Sequence, residues 1–238
     1  MGSNNHFMVW GSCMVTENRI TEQFRRIHCE SRGEWMQQRC EGIGGSEASI
    51  ILNENPYTSV VELWESKMQK STKDISDNQR VKYGANAEKP LIELFSLDFP
   101  NYKVVHEDYL ILQHKKHKEL QYSPDGLIET DTGLRGILEI KTTQIMNGTQ
   151  LEKWKDGIPQ NYYIQILHGL VVTDFDFVIL KVQMKFQFKD ELPRLETKHY
   201  VIYKNDVLEE LEYLKKTIIE WWDKHIVNKE KPKIEFVF

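Results

Sequence analysis

Tyr122–Thr143 reads YSPDGLIETDTGLRGILEIKTT. Pro124 and Gly126 fix the backbone on either side of Asp125. A Gly-containing reversal follows, then an apolar run that ends Glu139-Ile140-Lys141. Strands alternate their faces with period two. Leu138 and Ile140 therefore share one face, and Ile137, Glu139 and Lys141 share the other. A strand that buries Leu138 and Ile140 aims a carboxylate and an ammonium in one direction. A hairpin fold-back brings Asp125 beside Glu139. Two carboxylates and a lysine in one cleft suit a hard divalent cation with a charged helper. The same residues could solubilise a surface hairpin, but apolar neighbours surround Glu139.

Outward from this stretch the composition is that of an ordinary globular chain. Hydrophobic residues make up 40% and charged residues 28% of 238 positions. No apolar run reaches the ~20 residues of a membrane helix. The amino end, MGSNNHFMVWGSCM, has no basic region followed by an apolar stretch, so no signal peptide is expected. Cys13, Cys29 and Cys40 suggest a reducing compartment rather than a disulfide framework. They are too few for a four-cysteine iron–sulfur cluster. The net charge of −5 offers no support for nucleic-acid binding unless basic side chains cluster.

Upstream, residues 17–39 carry Ile20, Phe24, Ile27 and His28 at helical spacing, with an interruption at Gly33. Arg39-Cys-Glu-Gly-Ile-Gly-Gly-Ser46 then runs into a short helix over 47–52. Its glycines can take positive φ, and Ser46 is a good N-cap. Backbone N–H groups at such a start attract anions, and Arg39 makes a phosphate ligand conceivable. Helices are expected over 59–70 and 78–97. The second has an apolar stripe of Val81, Gly84, Ala85, Leu91, Ile92 and Phe95, with Glu88 where an apolar residue belongs. A carboxylate there needs a partner. Pro90 removes one helical hydrogen bond, so a weak turn is expected near Glu88.

Strands are expected over 102–107 and 109–113, followed by the basic tip His114–Lys118. Beyond the hairpin, a helix over 159–172 buries Tyr162, Ile166, Gly169 and Leu170, with Gln165 among them, either a core amide with local partners or a side chain pointing at the cleft. Strands over 178–188 and 199–203 precede a closing helix capped by Asn205, with a stripe of Leu208, Leu211, Leu214, Ile218 and Trp222. Residues 1–15 are expected as a flexible lead-in and 16–238 as one domain.

Taken together, these words resemble the YqaJ-type viral recombinase nucleases, relatives of phage lambda exonuclease in the PD-(D/E)xK superfamily. The matching words are Arg39 with Gly42-Ile-Gly-Gly-Ser46, Tyr83-Gly84 with Glu88, Ser123-Pro-Asp-Gly126, Leu138-Glu-Ile-Lys141, and Ile158-Pro159 with Tyr162, Gln165 and His168. They run in family order over residues 34–173. The resemblance implies an α/β fold with a central mixed sheet flanked by helices. It implies that Asp125, Glu139 and the Ile140 carbonyl hold Mg2+, with Mn2+ as a substitute and one or two ions bound. Glu88 supports the metal through water. Lys141 orients and helps deprotonate the attacking water, and a cation beside it would lower its ammonium pKa. Arg39, Ser46, Ser123 and Gln165 hold a terminal 5′-phosphate.

The implied reaction is 5′ to 3′ exonucleolytic hydrolysis of duplex DNA, leaving 3′ tails for recombination. The implied companions are a single-strand annealing protein and two further copies in a trimeric ring. The implied place is the cytoplasm of a bacterial host carrying a phage or prophage, away from any membrane. Lambda-like members can carry a further acidic residue upstream of the Pro-Asp turn, where this chain has His114–Lys118. Two other functions fit the residues, an endonuclease of the same superfamily and a non-catalytic DNA-binding module. The Arg39–Ser46 loop counts against the first, and the complete Asp125, Glu139 and Lys141 set against the second.

Overall fold

The computed structural model describes residues 8–10, 13–16, 22–71, 77–155, 157–186 and 192–233. Among them are two five-stranded sheets. The first has the order β1 (Met8–Trp10), β2 (Cys13–Thr16), β3 (Phe24–His28), β5 (Leu110–His114) and β6 (Gln121–Tyr122). The second has the order β10 (Arg194–Tyr203), β9 (Phe177–Phe186), β8 (Arg135–Ile145), β7 (Gly126–Thr130) and β4 (Tyr102–Val105). The expected mixed sheet is the second, where β8 pairs antiparallel with β7 and parallel with β9. The strands expected over 102–107 and 109–113 form as β4 and β5, which enter different sheets. Ser123-Pro-Asp is the crossover by which the chain leaves β6 in one sheet and enters β7 in the other.

The largest departure from the sequence reading is β3. The stripe Phe24, Ile27 and His28 suggested a helix, and residues 17–21 of that expectation lie outside the described residues. Phe24–His28 is instead a strand between β2 and β5, with Phe24 opposite His114 and Ile27 opposite Ile111. Backbone pairing with a segment more than 80 residues away overrides a local spacing that fits either structure. Helix α1 (Arg32–Arg39) begins only after this strand.

Caps fix most of the remaining helices. Helix α3 (Val60–Met68) opens with a capping box of Ser59 and Glu62. Helix α4 (Gln79–Asp98) is capped by Asn78 and runs through Pro90 without a break, so the weak turn expected there does not form. Helix α2 (Gly45–Ile51) starts one residue before Ser46. Its cap is Gly44, whose N–H donates to Glu47 Oε2 at 2.8 Å. Helices α5 (Gly148–Glu152) and α6 (Gln160–Thr173) bridge β8 and β9. Helix α7 (Leu208–Trp222) follows a short 3-10 turn at Lys204–Asp206 and buries Trp221 where Trp222 was expected.

Strand β8 is covered on both faces, as parallel neighbours require. Ile137 joins the main core with α6 and α7, while Leu138 and Ile140 pack under Leu91, Ile92 and Phe95 of α4. Val81 and Ala85 of the expected α4 stripe are exposed, because the first half of that helix overhangs a cavity. No helix among the described residues is long and apolar enough to cross a membrane.

Candidate active site

The two sheets meet where β7 begins and β8 reaches its middle. Asp125 Oδ2 accepts the Ile140 N–H at 2.7 Å, which locks the Pro-Asp turn onto β8. Alternation on β8 turns Glu139 to the α6 side, where it is 1% exposed. Its Oε1 accepts from Lys141 Nζ at 2.7 Å and from Gln165 Nε2, and its Oε2 accepts from Tyr122 Oη. Lys141 Nζ also stands 5.9 Å from the Tyr162 ring centroid.

Beside this carboxylate lies a cavity of about 310 Å³, lined by Val81, Gly84, Glu88, Asp125, Ile140, Lys141 and Thr142. A Cβ at Gly84 would lie 3.3 Å from Thr142 Oγ1, so glycine lets α4 approach the strand. A larger cavity of about 440 Å³ lies elsewhere, around Glu22, Arg26 and Arg135. It holds none of the carboxylate–lysine set, so the smaller one is the candidate site.

The electrostatics follow from crowding. Burial pushes Asp125 well above the usual carboxylate range, and Glu139 and Glu88 add to the push, while Lys141 and the Ile140 N–H oppose it. Asp125 still touches the cavity, so water relieves part of this. Burial also raises Glu88, with Glu139 adding, and His106 and Lys141 pull it back. Burial works against the Lys141 ammonium, but Glu139 and Asp125 overcome it and hold its pKa above the ordinary value. The protein's own groups thus act opposite to the lowering expected beside a cation.

These oxygens suit a hard cation. No three His, Cys, Asp or Glu side chains among the described residues are arranged to hold a metal alone. Asp125 and Glu88 face the cavity, and neither the second Asp125 oxygen nor the Glu88 carboxylate takes a hydrogen bond among the described residues. Ile140 supplies a backbone carbonyl at the same wall. Glu139 Oε1, the oxygen shared with Lys141 of the cavity wall, already has two donors and could join a cation only by releasing one, whereas Oε2 has the single donor Tyr122. A divalent ion completed by water fits this set.

The expected anion residues lie on the other side of Glu139. Arg39 Nη2 donates to Ser46 Oγ at 3.4 Å. The loop is anchored by the buried Lys67, whose Nζ donates to Arg39 O and to Glu47 Oε2, each at 2.8 Å. Gln165 connects the two regions, because a Cβ at Gly45 would stand 3.0 Å from its Cγ.

Three further residues belong to this framework and were not singled out from sequence. Trp35 stacks under the Arg39 guanidinium at 4.5 Å and donates its Nε1–H to Ser123 Oγ at 3.0 Å. Tyr122 holds Glu139 Oε2. His106 Nδ1 meets Asp125 O at 2.6 Å, and its Nε2 meets Asp108 Oδ1 at 3.2 Å. His168 is structural, with Nε2 donating to the carbonyls of Ile43 and Gln121. In the basic tip His114 is buried, and its Nδ1 accepts the N–H groups of Lys116 and His117. Of the tip, Lys116 and Lys118 are exposed.

The YqaJ-like viral recombinase domain is matched over residues 34–176, which spans both halves of this site. The chain belongs to that family. It is 29% identical over 211 residues to the uncharacterized protein YqaJ of Bacillus subtilis strain 168, covering 86% of this chain and 60% of that protein. It is 29% identical over 153 residues to the uncharacterized protein R354 of Acanthamoeba polyphaga mimivirus, covering 60% of this chain and 27% of that protein. The chain thus spans less than two thirds of either relative.

Among solved structures, the fold matches LHK-Exo in complex with dAMP with a TM-score of 0.55 at 16% identity, over 83% of this chain and 100% of that one. It matches the alkaline exonuclease LHK-Exo from Laribacter hongkongensis with a TM-score of 0.54 at 17% identity, over the same shares. The YqaJ-family core of this chain therefore has the fold of an alkaline exonuclease.

Proposed function

We propose that the chain is a magnesium-dependent exonuclease that hydrolyses duplex DNA from 5′-phosphorylated ends, 5′ to 3′, and leaves 3′ tails for recombination. The observation that carries this reading is Gln165 standing between the Glu139–Lys141 pair and the Arg39–Ser46 loop. Attack at a scissile phosphate then occurs a fixed distance from a held 5′ end. Asp125, Glu88 and the Ile140 carbonyl would hold the ion, with Glu139 once it sheds a donor. A bound magnesium ion, or manganese in its place, would neutralise phosphate charge and favour an activated water. Lys141, an ammonium at the cavity wall, orients that water and stabilises charge on the phosphate oxygens. Arg39, stacked on Trp35, and the N–H groups opening α2 hold the terminal phosphate.

A trimeric ring and a single-strand annealing partner belong to the same proposal, and light scattering of the purified protein tests the ring. The central experiment compares linear duplexes carrying a 5′-phosphate or a 5′-hydroxyl with a closed circle, each with and without magnesium. Rapid release of mononucleotides from the phosphorylated linear duplex alone is the expected result. A circle cut as readily as the linear form overturns the end-directed reading in favour of an endonuclease.

A further inference from the structure

We propose that Gln165 couples the 5′-phosphate pocket to the cation site by offering one amide to both. The inference rests on the exonuclease reading above. A carboxylate oxygen has two lone-pair directions. Glu139 Oε1 already accepts from Lys141 Nζ and Gln165 Nε2, and Oε2 accepts from Tyr122 Oη. A cation drawn to Oε1 must displace one donor. Both bonds end on an ionised oxygen, but the ammonium adds the attraction of a full opposite charge at 2.7 Å, whereas the Gln165 amide is neutral. The amide is therefore the donor that leaves.

Its stem determines where it goes. Gln165 Cγ lies against Gly45, the first residue of α2, with Ser46 next in the chain and Arg39 Nη2 on the Ser46 hydroxyl. The alternative acceptor within reach of the amide is an anion held by Arg39 and Ser46. An occupied phosphate pocket thus draws the amide off Glu139 and frees a lone pair for the cation. Coupling of this kind is reciprocal: whatever factor the phosphate adds to cation affinity, the cation adds to phosphate affinity. Without a phosphorylated end, Glu139 Oε1 stays closed by Lys141 and Gln165, so the cation binds more weakly.

The test is calorimetric titration of Ca2+, a hard cation with the same preference for oxygen. The full chain is loaded with a hairpin duplex whose terminal linkages are phosphorothioates and whose 5′ end is either phosphorylated or hydroxyl. For the unaltered protein, Ca2+ should bind at least about fivefold tighter with the phosphorylated hairpin. In Gln165→Leu the ratio should fall to one, and DNA-free affinity for Ca2+ should exceed that of the unaltered protein. Gln165→Met keeps an unbranched stem and serves if the leucine variant does not fold. A ratio of one in the unaltered protein, or an unchanged ratio in the variants, overturns the coupling and leaves the exonuclease reading standing. Absence of Ca2+ binding in every state overturns both.

Discussion

At the scale of single residues, the site is a competition for the oxygens of Glu139. In the proposed reaction Lys141 is the donor on which chemistry depends, since it touches both the buried carboxylate and the cavity. Lys141→Ala should lower kcat by about 10²–10⁴-fold, the range for a positioned proton-transfer group, with DNA affinity changed much less. Single-turnover digestion alongside an anisotropy binding curve checks this. An equal loss in both would make Lys141 a DNA-binding residue only.

Tyr122 makes a separate contribution. Its hydroxyl is the donor to Glu139 Oε2, and Tyr122→Phe leaves that buried oxygen bare. The expected cost is about 1–3 kcal/mol in urea unfolding with an unchanged m-value. A loss below about 0.5 kcal/mol would show that the bond adds nothing net. The mutual placement of Asp125, Glu139 and Lys141 was legible in the sequence from the Pro-Asp-Gly turn, the fold-back and period two, whereas the direction of Gln165 was left open between the core and the cleft. Tyr122 was not legible, because it reaches Glu139 from the other sheet. Trp35 lies one helical turn before Arg39, a spacing that puts side chains in contact, so its signal was present.

At the scale of elements, local chemistry was the part the sequence stated most clearly. Helices α3 and α4 begin within one residue of the expected starts, but the caps read from sequence shift: Gly44 rather than Ser46 opens α2, and Val207 rather than Asn205 precedes α7. What could not be read locally is pairing. Phe24–His28 has a helix-like stripe and becomes a strand because β5 supplies its hydrogen bonds. Lys181 of β9 is fully buried, because α4 covers its face of the strand with Phe95.

Close packing of α6 against the crossover gives a prediction at this level. A Cβ at Gly169 would lie 2.8 Å from Tyr122 Cζ and 2.9 Å from Ile137 Cδ1. Gly169→Ala should destabilise by about 1–3 kcal/mol, despite the better helix propensity of alanine. It should also disturb Tyr122, and through it Glu139, so activity should fall more than stability explains. Thermal denaturation with a digestion assay separates the two effects. A variant as stable as the original would mean the helix can shift at little cost.

At the scale of the whole molecule, the chain passes repeatedly between two sheets, and the fold buries His114 of β5 and His168 of α6, histidines whose protonation it opposes. Burial, with Lys215, His117 and Lys116 adding to it, lowers His114 from its ordinary 6.5 to about 4. Burial lowers His168 as well. An imidazole whose folded pKa lies below its unfolded value takes up a proton on unfolding. For His114 the contribution to stability is complete above about pH 6.5 and is lost as pH falls toward about 4, by up to about 1.4 kcal/mol per pH unit, and His168 acts with the same sign. Asp125 and Glu88, whose pKa values are raised, act with the opposite sign as pH falls, so the total slope is not the clean measurement. His114→Asn isolates the effect, since an asparagine oxygen can accept the same two turn N–H groups and does not titrate. Urea unfolding of both proteins at pH 7.5, 6 and 5 should give a shallower acid slope for the variant, with the carboxylate contributions cancelling in the comparison. Identical slopes would show that His114 takes up its proton equally well folded and unfolded, and that the His114–Lys118 turn does not depend on a neutral imidazole.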